Sequence, residues 1–153
     1  MIEKHYLSLF NASALFKSLG FSIVEINDDA LIMEIADDNP CHQGGFGVLA
    51  STGINGAVVS AALESAIGLC GFRALGGQPA GVIELSVKLL RVIRKKPCRV
   101  EARIDNKNHH LAFVSATLYS ARGGICATAT GIVVKSKSSE SQSDDLDEPL
   151  NGR

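Results

Sequence analysis

The chain has 153 residues, one domain's worth, so a dinucleotide fold with a second substrate domain would not fit. Hydrophobic residues make up 46% and charged residues 20%, which excludes disorder for the bulk of the chain and the collagen-like and mucin-like classes. A formal net charge of −1 argues against a dedicated nucleic-acid binder, and 5% aromatics with no Trp leaves little for a base-stacking platform.

Residues 4–19, KHYLSLFNASALFKSL, place Tyr6, Leu7, Phe10, Ala14 and Leu15 near helical spacing, and Gly20 follows as a stop. One short amphipathic helix is expected there. Two strands should follow, Phe21–Ile26 and Ala30–Ala36, joined by the turn-forming triplet Asn27-Asp28-Asp29. Residues 37–54 hold four Gly, one Pro and several small polar residues, a long loop of the kind that usually carries function. A helix is expected from Asn55 to Arg73. It is apolar on nearly every face, which predicts burial on all sides. Asn55, Ser60, Glu64 and Ser65 interrupt it, so a membrane span is set aside. Four strands complete the pattern: Val82–Val92, Cys98–Asp105, Leu111–Tyr119 and Ile125–Lys135. Tight turns at Asn106-Lys107-Asn108 and Arg122-Gly123-Gly124 make the last three an antiparallel meander. The order predicts an α+β fold, one antiparallel sheet with a long apolar helix against it.

Residues 1–137 are read as the folded domain and residues 138–153 as a disordered acidic tail. The tail holds five acids and one base, a charge of −4, so residues 1–137 carry +3. The four cysteines, Cys41, Cys70, Cys98 and Cys126, form no CxxC pair, and their gaps of 29, 28 and 28 residues fit no zinc site. No metal site is expected. The start, MIEKHYLSLF, lacks a secretory h-region, and reduced thiols in a cytoplasmic protein are the expectation.

Between Ala50 and Phe72 the single charged residue is Glu64. A carboxylate in an apolar helix must be paired, or serve as a base or nucleophile. The bland alternative is that it meets an interface or solvent groove and pairs with a base such as Arg73. The helix start carries a second signal. First-turn amides are unpaired donors at the positive end of the dipole, and Gly56 lets a substrate approach the backbone. Such amides can hold a developing oxyanion. Eight residues separate Gly56 from Glu64, about 12 Å along the axis at ~1.5 Å per residue. Both could touch one carbonyl only if they came from different subunits around a two-fold axis.

The segments INGAVVSAALESAIGLC, GVIELSVKLLRVI and RVEARIDNKNHHLAFVSATLYSARGGICATATGIVV resemble hotdog-fold acyl-CoA thioesterases of the PaaI-like and 4-hydroxybenzoyl-CoA type. Those show a His-Gly-Gly turn at the start of a central helix, with an Asp or Glu nine residues after the His. Here Asn55-Gly56-Ala57 occupies the turn and Glu64 lies nine residues after Asn55. The likeness runs from about Ala30 to Lys135. It implies a hotdog fold, with the antiparallel sheet wrapped around the long central helix, and a homodimer that commonly becomes a homotetramer. It implies that Asn55, Gly56 and the neighbouring subunit's Glu64 carry catalysis on a small-molecule acyl-CoA. Coenzyme A is then part of the substrate, and no cofactor is expected. Three positions depart from the family's pattern: Asn55 replaces the His, Ala57 replaces the second Gly, and Val82 stands where some relatives place a strand hydroxyl.

Further substrate contacts are expected from Ala57, from His42 and Gln43 in the Gly-rich loop, and from Val82. Lys88, Arg91 and Arg94 belong to a run of six bases in twelve residues that could cradle coenzyme A phosphates; a solvated strand end is the plainer reading. There is no Gly-x-Ser-x-Gly elbow for a serine hydrolase. The adjacent His109 and His110 would point oppositely on a strand, and Cys41-His42 are sequence neighbours that rarely converge as a catalytic pair. Three functions remain in play: an acyl-CoA thioesterase, a non-catalytic module binding acyl groups or coenzyme A, and, with less support, a hotdog dehydratase or hydratase.

Overall fold

Two structural choices near the N-terminus separate the molecule from the single helix expected there. In a computed structural model describing residues 2–36, 39–44, 53–94 and 97–136, the region forms α1 (Ile2–Asn11) and α2 (Ala14–Leu19). Ser13 breaks the run because its hydroxyl accepts the Phe16 amide and caps α2. Asn11 turns away from the helix to strand β1 (Phe21–Ile26), where its side chain donates to the Ile23 carbonyl at 3.0 Å and accepts the Ile23 amide at 2.7 Å. Gly20 ends α2 at φ 67°, the left-handed conformation glycine adopts without a Cβ penalty.

Strand β1 pairs with β2 (Ala30–Ile35) across the Asn27 turn, whose side chain accepts the Asp29 and Ala30 amides. A short 3-10 turn, Pro40–His42, follows, then α3 (Gly56–Ala74). The remaining strands are β3 (Ala80–Leu89), β4 (Cys98–Lys107), β5 (Leu111–Tyr119) and β6 (Ile125–Lys135). They make one antiparallel six-stranded sheet in the order β1-β2-β4-β5-β6-β3. The β4-β5-β6 meander stands as expected. Strand β3 ends three residues earlier than the apolar run suggests, because the Leu90 and Arg91 amides both donate to the Cys126 carbonyl, at 2.9 and 3.0 Å. Strand β4 runs on to Lys107, with a bulge between Ile104 and Asn106 absorbing the extra residue.

The sheet curls around α3. Strand alternation sends Leu31, Met33, Val100, Val114, Leu118 and Val133 inward, where they meet Leu63, Ile67 and Cys70 of the helix. Helix and sheet lie close because small residues face each other: a Cβ on Gly71 would sit 2.5 Å from Val133, and one on Gly131 would sit 3.0 Å from Ile67. By length and composition α3 could span a bilayer, but Val58, Val59, Ala62, Leu63, Ala66 and Ile67 lie buried in the sheet's concavity as the protein's own core. Burial on every side is not what the single chain achieves. The stripe Ala57–Ala61–Glu64–Gly68, at helical spacing along one side of α3, stays partly or fully open. Three cysteines, Cys70, Cys98 and Cys126, are buried free thiols, and desolvation pushes Cys70 up to about 12. The acidic stretch 138–153 lies outside the described residues.

Candidate active site

The start of α3 is built by one side chain. Asn55 sits in extended backbone, and its Oδ1 accepts the Val58 amide at 2.9 Å, an N-cap. Its Nδ2 donates to the Cys41 carbonyl at 2.7 Å and the Gln43 carbonyl at 3.0 Å, and its own amide donates to the His42 carbonyl at 2.9 Å. Asn55 therefore ties the 40–44 segment to the helix. The Val59 amide donates to the Asn55 carbonyl. That leaves the amides of Gly56 and Ala57, and neither has a hydrogen-bond partner among the described residues. Gly53, at φ 94°, lets the chain pass tightly before the helix; a Cβ there would lie 2.5 Å from the Ile93 carbonyl oxygen.

The free amides open into a cleft of about 740 Å³. Its walls come from four distant parts of the chain: Gly44; Ile54 to Ala57 with Val59; Leu89 to Ile93; and Cys126. The charged group among the described lining residues is Arg91, whose guanidinium reaches toward the turn at Gly124. Of the residues singled out in the sequence, Asn55, Gly56, Ala57 and Arg91 come together here.

The others stand elsewhere in the single chain. Glu64 is two turns further along α3 and exposed, not buried as the apolar helix suggested. It has no ion pair or hydrogen bond among the described residues. Arg73, its suggested partner, pairs instead with Asp28 at 2.6 Å. Glu64 Oε1 and Val82 Cγ2 lie 3.9 and 3.3 Å from where a Cβ on Gly68 would be, so the carboxylate stands beside the start of β3. Gly56 stands beside its end: a Cβ there would meet Leu89 Cδ1 at 3.0 Å. The two candidate catalytic groups thus mark opposite ends of one strand.

His42 lies outside the cleft wall in the single chain. Its ring is 3% exposed, and its Nε2 lies 2.6 Å from the Leu19 carbonyl, anchoring the 3-10 turn to the end of α2. Gln43 is exposed and contributes its backbone to Asn55 and to a bridge with Ile54, and its side chain is not part of the cleft wall. Lys88 cannot join Arg91 in one cradle from the same chain, since strand alternation turns it with Ser86 to the outer face of the sheet. Arg94 is exposed beyond the cleft. The apolar walls, Ile54, Val59, Leu89, Leu90, Val92 and Ile93, were not singled out in the sequence. Their trace was there: aliphatic pairs Leu89-Leu90 and Val92-Ile93 interleave with the bases, and Leu89, Leu90 and Val92 are more than half exposed. Among the described residues no group of three or more His, Cys, Asp or Glu side chains gathers as a metal site.

A six-stranded antiparallel sheet wrapped around one long helix is the hotdog architecture. A sequence model of the thioesterase superfamily matches residues 53–127, from the turn before α3 into β6. Among solved structures, a protein from Shewanella oneidensis related to the thioesterase superfamily superposes with a TM-score of 0.75 at 17% identity, covering 88% of this chain and 95% of that one. A thioesterase from Haemophilus influenzae gives 0.73 at 16%, covering 88% and 94%. The PaaI protein of the phenylacetic acid degradation operon of E. coli gives 0.72 at 12%, covering 88% and 92%. No curated protein matches the chain by sequence. The chain has the hotdog fold, and its residues 53–127 match the thioesterase superfamily.

Proposed function

We propose that the chain hydrolyses acyl-CoA thioesters as a homodimer in which each site combines the Gly56 amide of one subunit with the partner subunit's Glu64. The observation that carries this is the placement of the two groups at opposite ends of β3. Strand β3 is a sheet edge, and an antiparallel pairing of two copies about a two-fold axis near its middle exchanges its ends. The Glu64 end of one copy then lies beside the Gly56 end of the other. The same pairing covers the open stripe of α3. Two such dimers would make the tetramer.

In this site the thioester carbonyl oxygen accepts the Gly56 amide, with the Ala57 amide beside it, and the helix dipole favours charge developing there. The partner subunit's Glu64 either takes a proton from the attacking water or attacks the carbonyl carbon itself. In the first route water adds, the C–S bond breaks and coenzyme A leaves as the thiol with the proton taken from water. In the second the C–S bond breaks as an acyl–Glu64 anhydride forms, and water then cleaves that anhydride to the acid, its proton going to the coenzyme A thiolate. Arg91 and Arg94 face the phosphates.

A thiol-release assay on a panel of acyl-CoA esters tests the reading. Glu64→Gln should lower kcat by roughly 10²- to 10⁴-fold, the usual worth of a positioned acid or base. Unchanged turnover in that variant would remove Glu64 from the chemistry. Label found in the Glu64 carboxylate after a single turnover in ¹⁸O-water would identify direct attack, with water opening the anhydride at the glutamyl carbon. A second reading is a binding module without turnover. It is favoured by Val82, which offers no hydroxyl to orient water beside Glu64; tight binding of acyl-CoA without thiol release would support it.

A further inference from the structure

The start of α3 is tied by more bonds than a helix cap requires. One acceptor caps the helix, and Asn55 Oδ1 supplies it at the Val58 amide. Serine or aspartate would do as much. Of the usual capping residues asparagine alone carries an NH₂ group, and Nδ2 spends both hydrogens, on the Cys41 and Gln43 carbonyls at 2.7 and 3.0 Å. A flipped amide would set its oxygen against those two carbonyls. The backbone adds the Asn55 amide on the His42 carbonyl at 2.9 Å and the bridge between Gln43 and Ile54. Residues 41–43 are thereby joined to residues 54–55 in a neck directly before Gly56.

The brace continues away from the cleft. His42 is buried, with Nε2 at 2.6 Å from the Leu19 carbonyl. A carbonyl oxygen only accepts, so Nε2 carries the proton. Asn39 repeats the pattern at the start of the 3-10 turn: Nδ2 donates to the Ser18 carbonyl at 2.7 Å, and Oδ1 accepts the Cys41 amide at 2.9 Å. Ser18 and Leu19 are the last two residues of α2, where helix carbonyls need outside donors. The C-terminus of one helix thus holds the segment that holds the N-terminus of another.

We infer that Asn55 is a positioning residue with no bond to the thioester, and that His42 acts through it: the two keep the Gly56 amide in aim by bracing the start of α3 against the end of α2. This rests on the thioesterase reading above. Both hydrogens that Asn55 could offer a thioester carbonyl are spent on the neck, so a contact with substrate would have to break it. Misplacing a catalytic group by ~1 Å costs on the order of a hundred-fold in rate. A loosened neck therefore shows in kcat, and KM moves little.

Substitutions separate clamp from cap. Asn55→Asp keeps an acceptor for the Val58 amide, so its Tm should stay close to the parent's, but it sets oxygen against the Cys41 and Gln43 carbonyls. On acyl-CoA its kcat should fall about ten- to a hundred-fold with KM nearly unchanged. Amide hydrogen exchange over residues 39–44 and 53–58 should quicken. Its activity relative to the parent should rise as pH falls from about 8 to about 5, because a protonated carboxyl regains one donor. His42→Phe removes the donor to Leu19 and should lower kcat about ten-fold with the same quickened exchange. His42→Gln, which brings an N–H to similar reach, should restore most of that loss. Asn55→Asp decides alone should His42→Phe fail to fold. Lost activity in Asn55→Asp with exchange unchanged would make Asn55 a substrate contact and overturn the inference; so would full activity in that variant. If the parent releases no thiol from any acyl-CoA, the thioesterase reading fails by itself. The brace is then judged by exchange, kept if both Asn55→Asp and His42→Phe quicken it and lost if neither does.

Discussion

The two edges of the sheet are treated in opposite ways. Strand β1 is short, six residues, bulged between Ile23 and Glu25, and packed by α1. At its centre Asn11 presents a side-chain amide to both backbone groups of Ile23, imitating one rung of a strand ladder. Strand β3 is ten residues long, with Ile83 at 69% and Leu89 at 57% exposure. It carries no comparable cap among the described residues. Open edges invite pairing, and proteins blunt those they do not use. In the proposed dimer, the edge left open is the one that meets a second copy. That edge is the one along which Gly56 and Glu64 are spaced.

The contrast can be broken most sharply at β3. Leu85→Lys puts a charge on the inward face of the open edge, and two copies would bring like charges together. Sedimentation should then report the 16.1 kDa chain as a monomer, and thiol release should fall at least ten-fold even though Gly56 and Glu64 are intact. An active monomer would refute the composite site. A complementation experiment sharpens the same point. Gly56→Pro deletes the amide hydrogen at a helix position where proline is tolerated, after an Asn55 whose extended backbone suits it. Gly56→Pro and Glu64→Gln homodimers should each be inactive, but subunit exchange gives heterodimers with one intact site of two. Recovery of activity on mixing is expected; none would place both groups in one subunit's site.

A smaller effect is expected at β1. Asn11→Ala removes two hydrogen bonds to Ile23 and should cost about 1–3 kcal/mol in urea unfolding, with new self-association through the exposed edge. If the variant stays at the parent's oligomeric state and stability, Asn11 is not the cap. Smallest is the rim of the cleft. Arg91→Ala should raise KM for CoA esters several-fold with little change in kcat, and more at low salt than at high, because a phosphate contact at an exposed site is screened. An unchanged KM would remove Arg91 from coenzyme A binding.

Much of the fold could be read along the chain because it rests on local patterns. The alternation in β4, the turns around β5 and the apolar run of α3 are each set by neighbours in sequence. The N-terminal helix misread shows the limit: Ser13 and Asn11 look like tolerable helix residues until a strand twelve residues on recruits one of them. The site divides in the same way. Glu64 stood out as the lone charge in an apolar helix, and Gly56 as a glycine in its first turn. His42 and Lys88 are expected only as further substrate contacts, and in the single chain one is held inward at the Leu19 carbonyl and the other is turned to the outer face by the pleat.

Composition and order alone were enough for an α+β chain with one long apolar helix, a basic body and an acidic end. They also made subunit association the natural remedy for a helix no single small sheet could cover. Folding in three dimensions settled where that helix is left bare, which edge is open, and that Gly56 and Glu64 flank the same strand from opposite ends. It also assembled the aliphatic cleft from four separated segments. Local pattern records how each residue sits in its own element; which elements meet depends on packing between residues far apart in the chain, and no short-range spacing encodes that.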